Sequence, residues 1–217
     1  MLRRFYRFWR VKFAQSPPKT YIPHFSEPKK HRRISQKNPL FSRIDSLKPN
    51  TLKLRIGQGY DVHELKEGVP LILGGVTIPH THGLKSHSDG DALTHALCDA
   101  LLGALGLRDI GYHFSDTDAA NRGRNSQEFL KAVMEMVRDK GYEISNLDAT
   151  VVLEAPKVNP HVPAMIRKLC ETMAIREEDL SVKATTSEKM GFVGRREGIS
   201  VFAVALVYKV TDNNIGL

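Results

Sequence analysis

Cysteine is scarce in this sequence. Cys98 and Cys170 are the only two among 217 residues, far apart and in no C-x-x-C arrangement. That excludes a secreted disulfide framework; both fall in helical patterns among apolar neighbours, which predicts buried, reduced thiols in a reducing compartment. Long apolar runs are missing too: none approaches the roughly 18 residues that a membrane-spanning helix needs. No Ser-His-Asp or Cys-His arrangement of a protein nucleophile is recognisable. Acidic residues are nearly absent from the first 50 positions, which hold only Glu27 and Asp45 against 13 of the chain's 32 Lys and Arg.

That last imbalance explains the net charge of +8, since the remainder carries 19 basic and 22 acidic residues, about −3. Residues 1–53 read as a basic leader, broken by prolines at 17, 18, 23, 28, 39 and 49 and lacking the apolar core of a secretory signal. Its first dozen residues suit a basic amphipathic helix carrying Phe5, Trp9 and Phe13. The composition fits an organelle transit peptide; a plain extension and a phosphate-attracting tail are the other readings. The folded domain is expected over 54–210, with a short tail over 211–217.

Within that domain LRIGQGYDVHEL reads as a strand, and PLILGGVTIP, after a Gly68–Pro70 turn, as a second one. Apolar periodicity predicts a helix from Ser88 to Gly106, capped by Ser88 or Asp89, and another from Ser126 to Lys140, capped by Ser126. Between them lies a polar loop, about Asp109 to Asn125. A strand over Leu147–Glu154, a helix over Pro160–Ala174, a strand over Leu180–Thr186 and a last strand over Ile199–Val210 complete the pattern. Strands and helices alternate in βαβ fashion, which predicts an α/β (α+β) sandwich: one sheet of four or five strands with helices on one face.

Asp61 and His63 form D-x-H on a strand, where residues i and i+2 project from the same face. On the following helix Asp91, His95 and Asp99 recur every four residues and share a face, with His87 and Asp89 just ahead. Asp61, His63 and His95 together make a His₂-carboxylate set, the ligand class of a catalytic zinc with an open fourth position. Asp91 or Asp99 is placed to orient an imidazole. A second constellation, VKATTSEKMGFVGRREG, offers hydroxyls, glycine amides and Arg195 and Arg196 to phosphate oxygens, with Glu188 as a hard carboxylate ligand of the kind Mg²⁺ shares with phosphates. The segment HFSDTDAANRGRNS, taken alone, reads as an exposed capping loop.

These stretches, taken together, resemble the family of 2-C-methyl-D-erythritol 2,4-cyclodiphosphate synthases, enzymes of the non-mevalonate isoprenoid pathway. The resemblance rests on G-Y-D-V-H at 59–63, L-G-G-V-x-I-P at 73–79, H-S-D-G-D-A-L-T-H-A-L-C-D-A-L-L-G-A at 87–104, D-I-G at 109–111, F-S-D-T-D at 114–118, E-A-P-K at 154–157 and K-A-T-T-S-E-K-M-G-F-V-G-R at 183–195. It spans about Leu54 to Lys209, in the family's order.

The resemblance implies a phosphorus–oxygen lyase that closes 4-diphosphocytidyl-2-C-methyl-D-erythritol 2-phosphate into the cyclic 2,4-diphosphate with release of CMP. It implies Zn²⁺ on Asp61, His63 and His95, and Mg²⁺ or Mn²⁺ with the diphosphate at Glu188. His87 and Thr186 become the residues that stabilise the transition state. Asp61, His63, His87, Ser88, Asp109, Ile110, Gly111, Phe114, Ser115, Asp116, Thr117 and Asp118 line the methylerythritol phosphate side. Leu153, Glu154, Ala155, Pro156, Lys157, Val158 and Asn159, with Thr185, Thr186, Ser187 and Glu188, hold cytidine and diphosphate, completed by Phe192 and Arg195. The family's form is a homotrimer with intersubunit sites, and neither nucleic acid nor membrane is expected as a partner. A transit peptide on such a chain points to a plastid-type organelle, the alternative being bacterial cytoplasm. A zinc phosphodiesterase or hydrolase, using the same ligands to activate water, is the competing activity.

Overall fold

The structure is a computed structural model and describes residues 53–210. The expected leader up to residue 52 and the tail at 211–217 lie outside the described residues.

The first strand, β1 (Leu54–Glu67), alternates strictly. Gly57, Gly59, Asp61 and His63 turn inward, while Ile56, Tyr60 and Val62 stay exposed on the opposite face. The expected second strand is instead a hairpin of β2 (Leu71–Leu73) and β3 (Val76–Ile78). Gly74 and Gly75 form its turn with φ of 58° and 71°, the left-handed pair that a tight two-residue hairpin demands. A short β4 (His82–Leu84) then pairs with the end of β1.

Helix α1 (Ala92–Ala104) is buried along nearly all its length and forms the middle of the domain. It starts later than the apolar period suggests. The cap is Asp91, which accepts the Thr94 amide at 3.0 Å, not Ser88 or Asp89. The polar loop beyond it contains one short helix, α2 (Ile110–His113), and a 3₁₀ turn at Ala119–Asn121. Helix α3 (Ser126–Asp139) covers α1 with Phe129, Leu130, Val133, Met134 and Val137. Its cap is Asn125 rather than Ser126, whose hydroxyl is committed elsewhere.

The chain continues through β5 (Tyr142–Val152), α4 (Val162–Met173), β6 (Leu180–Thr185), α5 (Gly191–Gly194) and β7 (Gly198–Lys209). Five strands form one sheet in the order β4-β1-β7-β5-β6, with a separate β2–β3 ribbon. The α/β sandwich expectation holds, with helices on one face. The βαβ expectation holds only once: β5 and β6 are parallel across α4, whereas β1–β4, β1–β7 and β5–β7 are antiparallel. Both cysteines are buried free thiols, as expected.

Candidate active site

The site begins with two glycines. A Cβ on Gly57 would lie 2.0 Å from the Ala100 carbonyl oxygen, and one on Gly59 would lie 1.9 Å from that of Ala96. Only hydrogen at these positions lets β1 press directly on the backbone of α1, whose facing residues are alanines. That close approach carries Asp61 and His63, next along the same face, to His95. The Oδ2 atom of Asp61 lies 3.0 Å from His63 Nε2 and 3.2 Å from His95 Nδ1, and the rings stand 5.6 Å apart.

Hydrogen-bond partners behind the rings fix which nitrogens face Asp61. His63 Nδ1 is 3.0 Å from the Lys85 carbonyl, which only accepts, so Nδ1 carries the hydrogen. His95 Nε2 is 2.8 Å from the Ser126 hydroxyl. That hydroxyl donates to Asp89, so it accepts from His95. In the neutral rings His63 Nε2 and His95 Nδ1 are therefore bare lone pairs aimed at a carboxylate. His63 Nε2 is buried and has no hydrogen-bond partner among the described residues. Three electron-rich atoms converging in this way require positive charge between them. Asp61, His63 and His95 all place a donor atom within 4.8 Å of one another, and a divalent cation fits that donor set.

Burial raises the Asp61 carboxyl, but when the two rings are protonated, hydrogen bonds and positive charge from His63 and His95 outweigh it and hold the group at about 2. Burial likewise pushes His63 down, and the bond to Asp61 that its protonated ring forms more than compensates, so the ring titrates above its ordinary value.

A cavity of about 440 Å³ opens in front of these groups, lined by His63, Lys85, Ser86, His87, Ser88, His95, Ile110, Gly111, Phe114, Asp116, Asn121 and Phe129. The His63 and His95 imidazoles form its polar side; its far wall is aromatic, with the Phe114 and Phe129 rings 4.8 Å apart. An adjoining cavity of about 460 Å³ shares Ser86, His87 and Asp116 and adds Thr117, Asp118, Ala119 and Arg122.

The second constellation lies at the same end of the sheet. β1 meets β7 at Asp61–Val201 and His63–Ile199, β7 meets β5 at Ser200–Val152, and β5 meets β6 at Val152–Thr185. Three strand spacings separate β1 from β6, roughly 14 Å. Here a cavity of about 250 Å³ is lined by Leu153, Glu154, Pro156, Lys157, Val158, Asn159, Ala184, Thr185 and Thr186. Beside it the chain turns through Glu188 and Lys189 with φ of 52° and 62°, left-handed conformations uncommon for side chains with a Cβ. The turn is held from below: Glu154 Oε1 accepts the amides of Ser187 at 3.0 Å and Lys189 at 3.1 Å, and the Ser187 hydroxyl at 3.2 Å. Those bonds keep the Glu154 carboxyl below its usual range. Thr186 donates to Glu188 Oε1 at 2.7 Å.

Comparison with known proteins decides the family. The YgbB family model matches residues 54–208. A 2-C-methyl-D-erythritol 2,4-cyclodiphosphate synthase from Cytophaga hutchinsonii is 54% identical over 158 residues, covering 73% of this chain and 99% of that protein. The chain belongs to the YgbB family. Among solved structures, the bifunctional IspDF of Campylobacter jejuni matches with a TM-score of 0.72 and 44% identity over 74% of this chain and 43% of that one. The Plasmodium falciparum IspF–CDP complex matches with a TM-score of 0.65 and 37% identity over 73% of this chain and 97% of that one.

On this YgbB-family chain the structure gathers the expected residues into two groups. His63, His87, Ser88, His95, Ile110, Gly111, Phe114 and Asp116 line the first cavity, and Thr117 and Asp118 its neighbour. Asp61 is not among the residues that line the first, but contacts both imidazoles that do. Asp118 caps the 3₁₀ turn, so the capping reading of HFSDTDAANRGRNS is correct in part; Asp109, ahead of that segment, caps α2. Ser115 turns to Thr117, with their hydroxyls 2.7 Å apart. Leu153 to Asn159 line the third cavity except Ala155. Ser187, Glu188, Phe192 and Arg195 lie outside these cavities; Arg195 pairs with Glu197 through bonds of 2.8 and 2.9 Å.

Two expectations are corrected. Asp91 does not orient an imidazole: fully buried, it accepts the amides of Gly74 at 2.8 Å and Gly75 at 2.6 Å and the amide and hydroxyl of Thr94. Nor does Asp99, which accepts the Ile110 amide at 2.7 Å. The imidazoles are held instead by Ser126 and the Lys85 carbonyl. Sequence reasoning missed Ser126 and the paired glycines; G-x-G ahead of D-x-H, facing a helix with alanine every fourth residue, is the signal that marks the close approach.

Proposed function

We propose that this protein converts 4-diphosphocytidyl-2-C-methyl-D-erythritol 2-phosphate into 2-C-methyl-D-erythritol 2,4-cyclodiphosphate and CMP. The observation that carries the reading is the convergence of bare nitrogens from His63 and His95 on Asp61 beside a cavity, in a chain of the YgbB family. Asp61, His63 and His95 would hold Zn²⁺, and Glu188 would hold Mg²⁺ or Mn²⁺ with the diphosphate. Such cations, when bound, lower the repulsion between reacting phosphates and neutralise charge on the leaving group.

The nucleophile is the substrate's own 2-phosphate, already anionic, so the chain need supply no strong base. Its task is orientation. Ile110, Phe114 and Phe129 offer apolar surface to a methyl-bearing carbon skeleton, with Ser88 and His87 at the polar side. Asp109 and Ser115 to Asp118 complete that side. Leu153 to Asn159, with Thr185, form the cytidine side, where Lys157 and Asn159 line the cavity. The left-handed turn presents Thr186, Ser187 and Glu188 toward the diphosphate, with Phe192 and Arg195 beyond it. His87 and Thr186 are the residues proposed to stabilise the transition state.

The active assembly is read as a homotrimer with intersubunit sites. Two features support this. The metal-side and cytidine-side cavities share no lining residue. The sheet face opposite the helices exposes Ile56, Tyr60, Val62, Phe202 and Val204, an apolar strip suited to a second copy of the chain. Residues 1–53 are read as a targeting leader for a plastid-type organelle, on their basic, acid-poor composition; bacterial cytoplasm is the alternative, and a fluorescent fusion of this segment separates the two.

The activity is tested by incubating the metal-loaded protein with the cytidine substrate and following products by phosphorus NMR. CMP together with a cyclic diphosphate, lost in His95→Ala and Glu188→Ala, supports the cyclase. CMP with only linear phosphates transfers the assignment to a hydrolase.

A further inference from the structure

We propose that Asp89 and Ser126 are positioning residues that select the tautomer of His95 and thereby make Nδ1 its metal-binding atom. This rests on the reading of Asp61, His63 and His95 as cation ligands. The two oxygens of Asp89 take both hydrogens at the first residue of α3: Oδ2 accepts the Ser126 amide at 2.9 Å and Oδ1 accepts its hydroxyl. A hydroxyl that has given its hydrogen to a carboxylate can only accept from an imidazole, and His95 Nε2 stands 2.8 Å away. Ser126 is fully buried, so no water competes for that bond.

The arrangement is braced from the backbone. The Asp89 amide donates to the Arg124 carbonyl at 3.2 Å and the Gly123 amide to the His87 carbonyl at 2.7 Å, tying the segment before α1 to the segment before α3. The start of one helix thus sets the donor atom presented by the other. Ser88 Oγ, 3.3 Å from His95 Nε2, is a second and longer partner. It lies on the cavity side, whereas Ser126 lies behind the ring.

Without Ser126, Nε2 keeps only that longer partner, and the hydrogen can move to Nδ1, where it blocks the lone pair facing Asp61. Without the charge on Asp89, one of the two Ser126 hydrogens loses its acceptor, because an asparagine side chain offers a single oxygen. Both changes leave Asp61, His63 and His95 chemically intact.

The test uses the full chain with zinc as the probe. Long-range ¹H–¹⁵N spectra of the metal-free protein report the His95 tautomer, competition with a chromophoric chelator reports zinc affinity, and circular dichroism reports folding. Wild type is expected to show the Nε2–H form of His95. In Ser126→Ala the Nδ1–H form is expected to appear and zinc affinity to fall by about 10- to 100-fold. Asp89→Asn is expected to move both readouts the same way, and it carries the test if Ser126→Ala fails to fold. Either an unchanged tautomer or an unchanged zinc affinity in the folded variants overturns the proposal. Wild type that binds no zinc at all removes the ligand reading itself, and this inference with it.

Discussion

Gly59 and Ala96 touch so closely that a methyl group on the glycine would lie 1.9 Å from the alanine carbonyl oxygen. This contact sets the distance between a strand that carries Asp61 and His63 and a helix that carries His95. Gly59→Ala is expected to force strand and helix apart, costing about 3 kcal/mol because the obstacle is backbone and cannot repack. Urea denaturation checks the stability, and zinc titration of the folded fraction checks the consequence: weaker binding, although no ligand has been altered.

Asp91 gives the opposite dissociation between stability and site. Its carboxylate, buried between Gly74, Gly75 and Thr94, holds the β2–β3 turn against the first turn of α1. Asp91→Ala strands several buried donors and is expected to destabilise the fold by roughly 3 kcal/mol or more. Where folding persists, for example at low temperature, the His95 tautomer is expected to be unchanged. A tautomer that shifts in Asp91→Ala as it does in Ser126→Ala would return Asp91 to an orienting role.

Metal binding is expected to weaken as pH falls. Burial lowers His63, but its bond to Asp61 raises it above the ordinary 6.5 by more; below that raised value a proton occupies the atom that would bind the proposed cation. Zinc affinity should then fall by up to about tenfold per pH unit below it. In the metal-free protein the same groups act on stability in opposite senses. Asp61, held at about 2 against an ordinary 3.8, contributes above 3.8 and loses that contribution as pH falls through about 2. His63 contributes fully below 6.5 and loses its contribution as pH rises through its folded value. Chelator competition and metal-free denaturation across pH read the two effects separately.

Glu154 is expected to act through the turn it supports. Removing the carboxylate in Glu154→Ala frees the Ser187 and Lys189 amides and releases the left-handed turn at Glu188. Turnover should drop by about tenfold or more, whereas Glu154→Gln, which keeps one acceptor oxygen in place, should retain most of it. Zinc affinity at Asp61, His63 and His95 should be unaffected in both variants.

Much of this candidate site was legible because its proposed ligands obey short periods. Asp61 and His63 share a face of β1 by alternation, and His95 follows from the helical period of α1. The register that brings them together was not legible from periodicity, since it depends on two glycines whose role appears only against the alanines of a helix 37 residues further on, from Gly59 to Ala96. Ser126 escaped for a similar reason: its partner in space is 31 positions away in sequence. The glycine pair in LILGGVTIP read as an interruption of one strand, whereas two adjacent left-handed residues reverse the chain. Asp91 misled because helical spacing places it in line with His95, while its position as the cap directs its carboxylate to amides.

In the proposed reaction a phosphate of the substrate, and not water, attacks the diphosphate. Turnover in ¹⁸O-labelled water, with mass spectrometry of every phosphorus-containing product, tests it directly. The expected products are CMP and a cyclic diphosphate that carry no label from solvent. Label in CMP or in a linear phosphate would show that water had been the nucleophile and would contradict it.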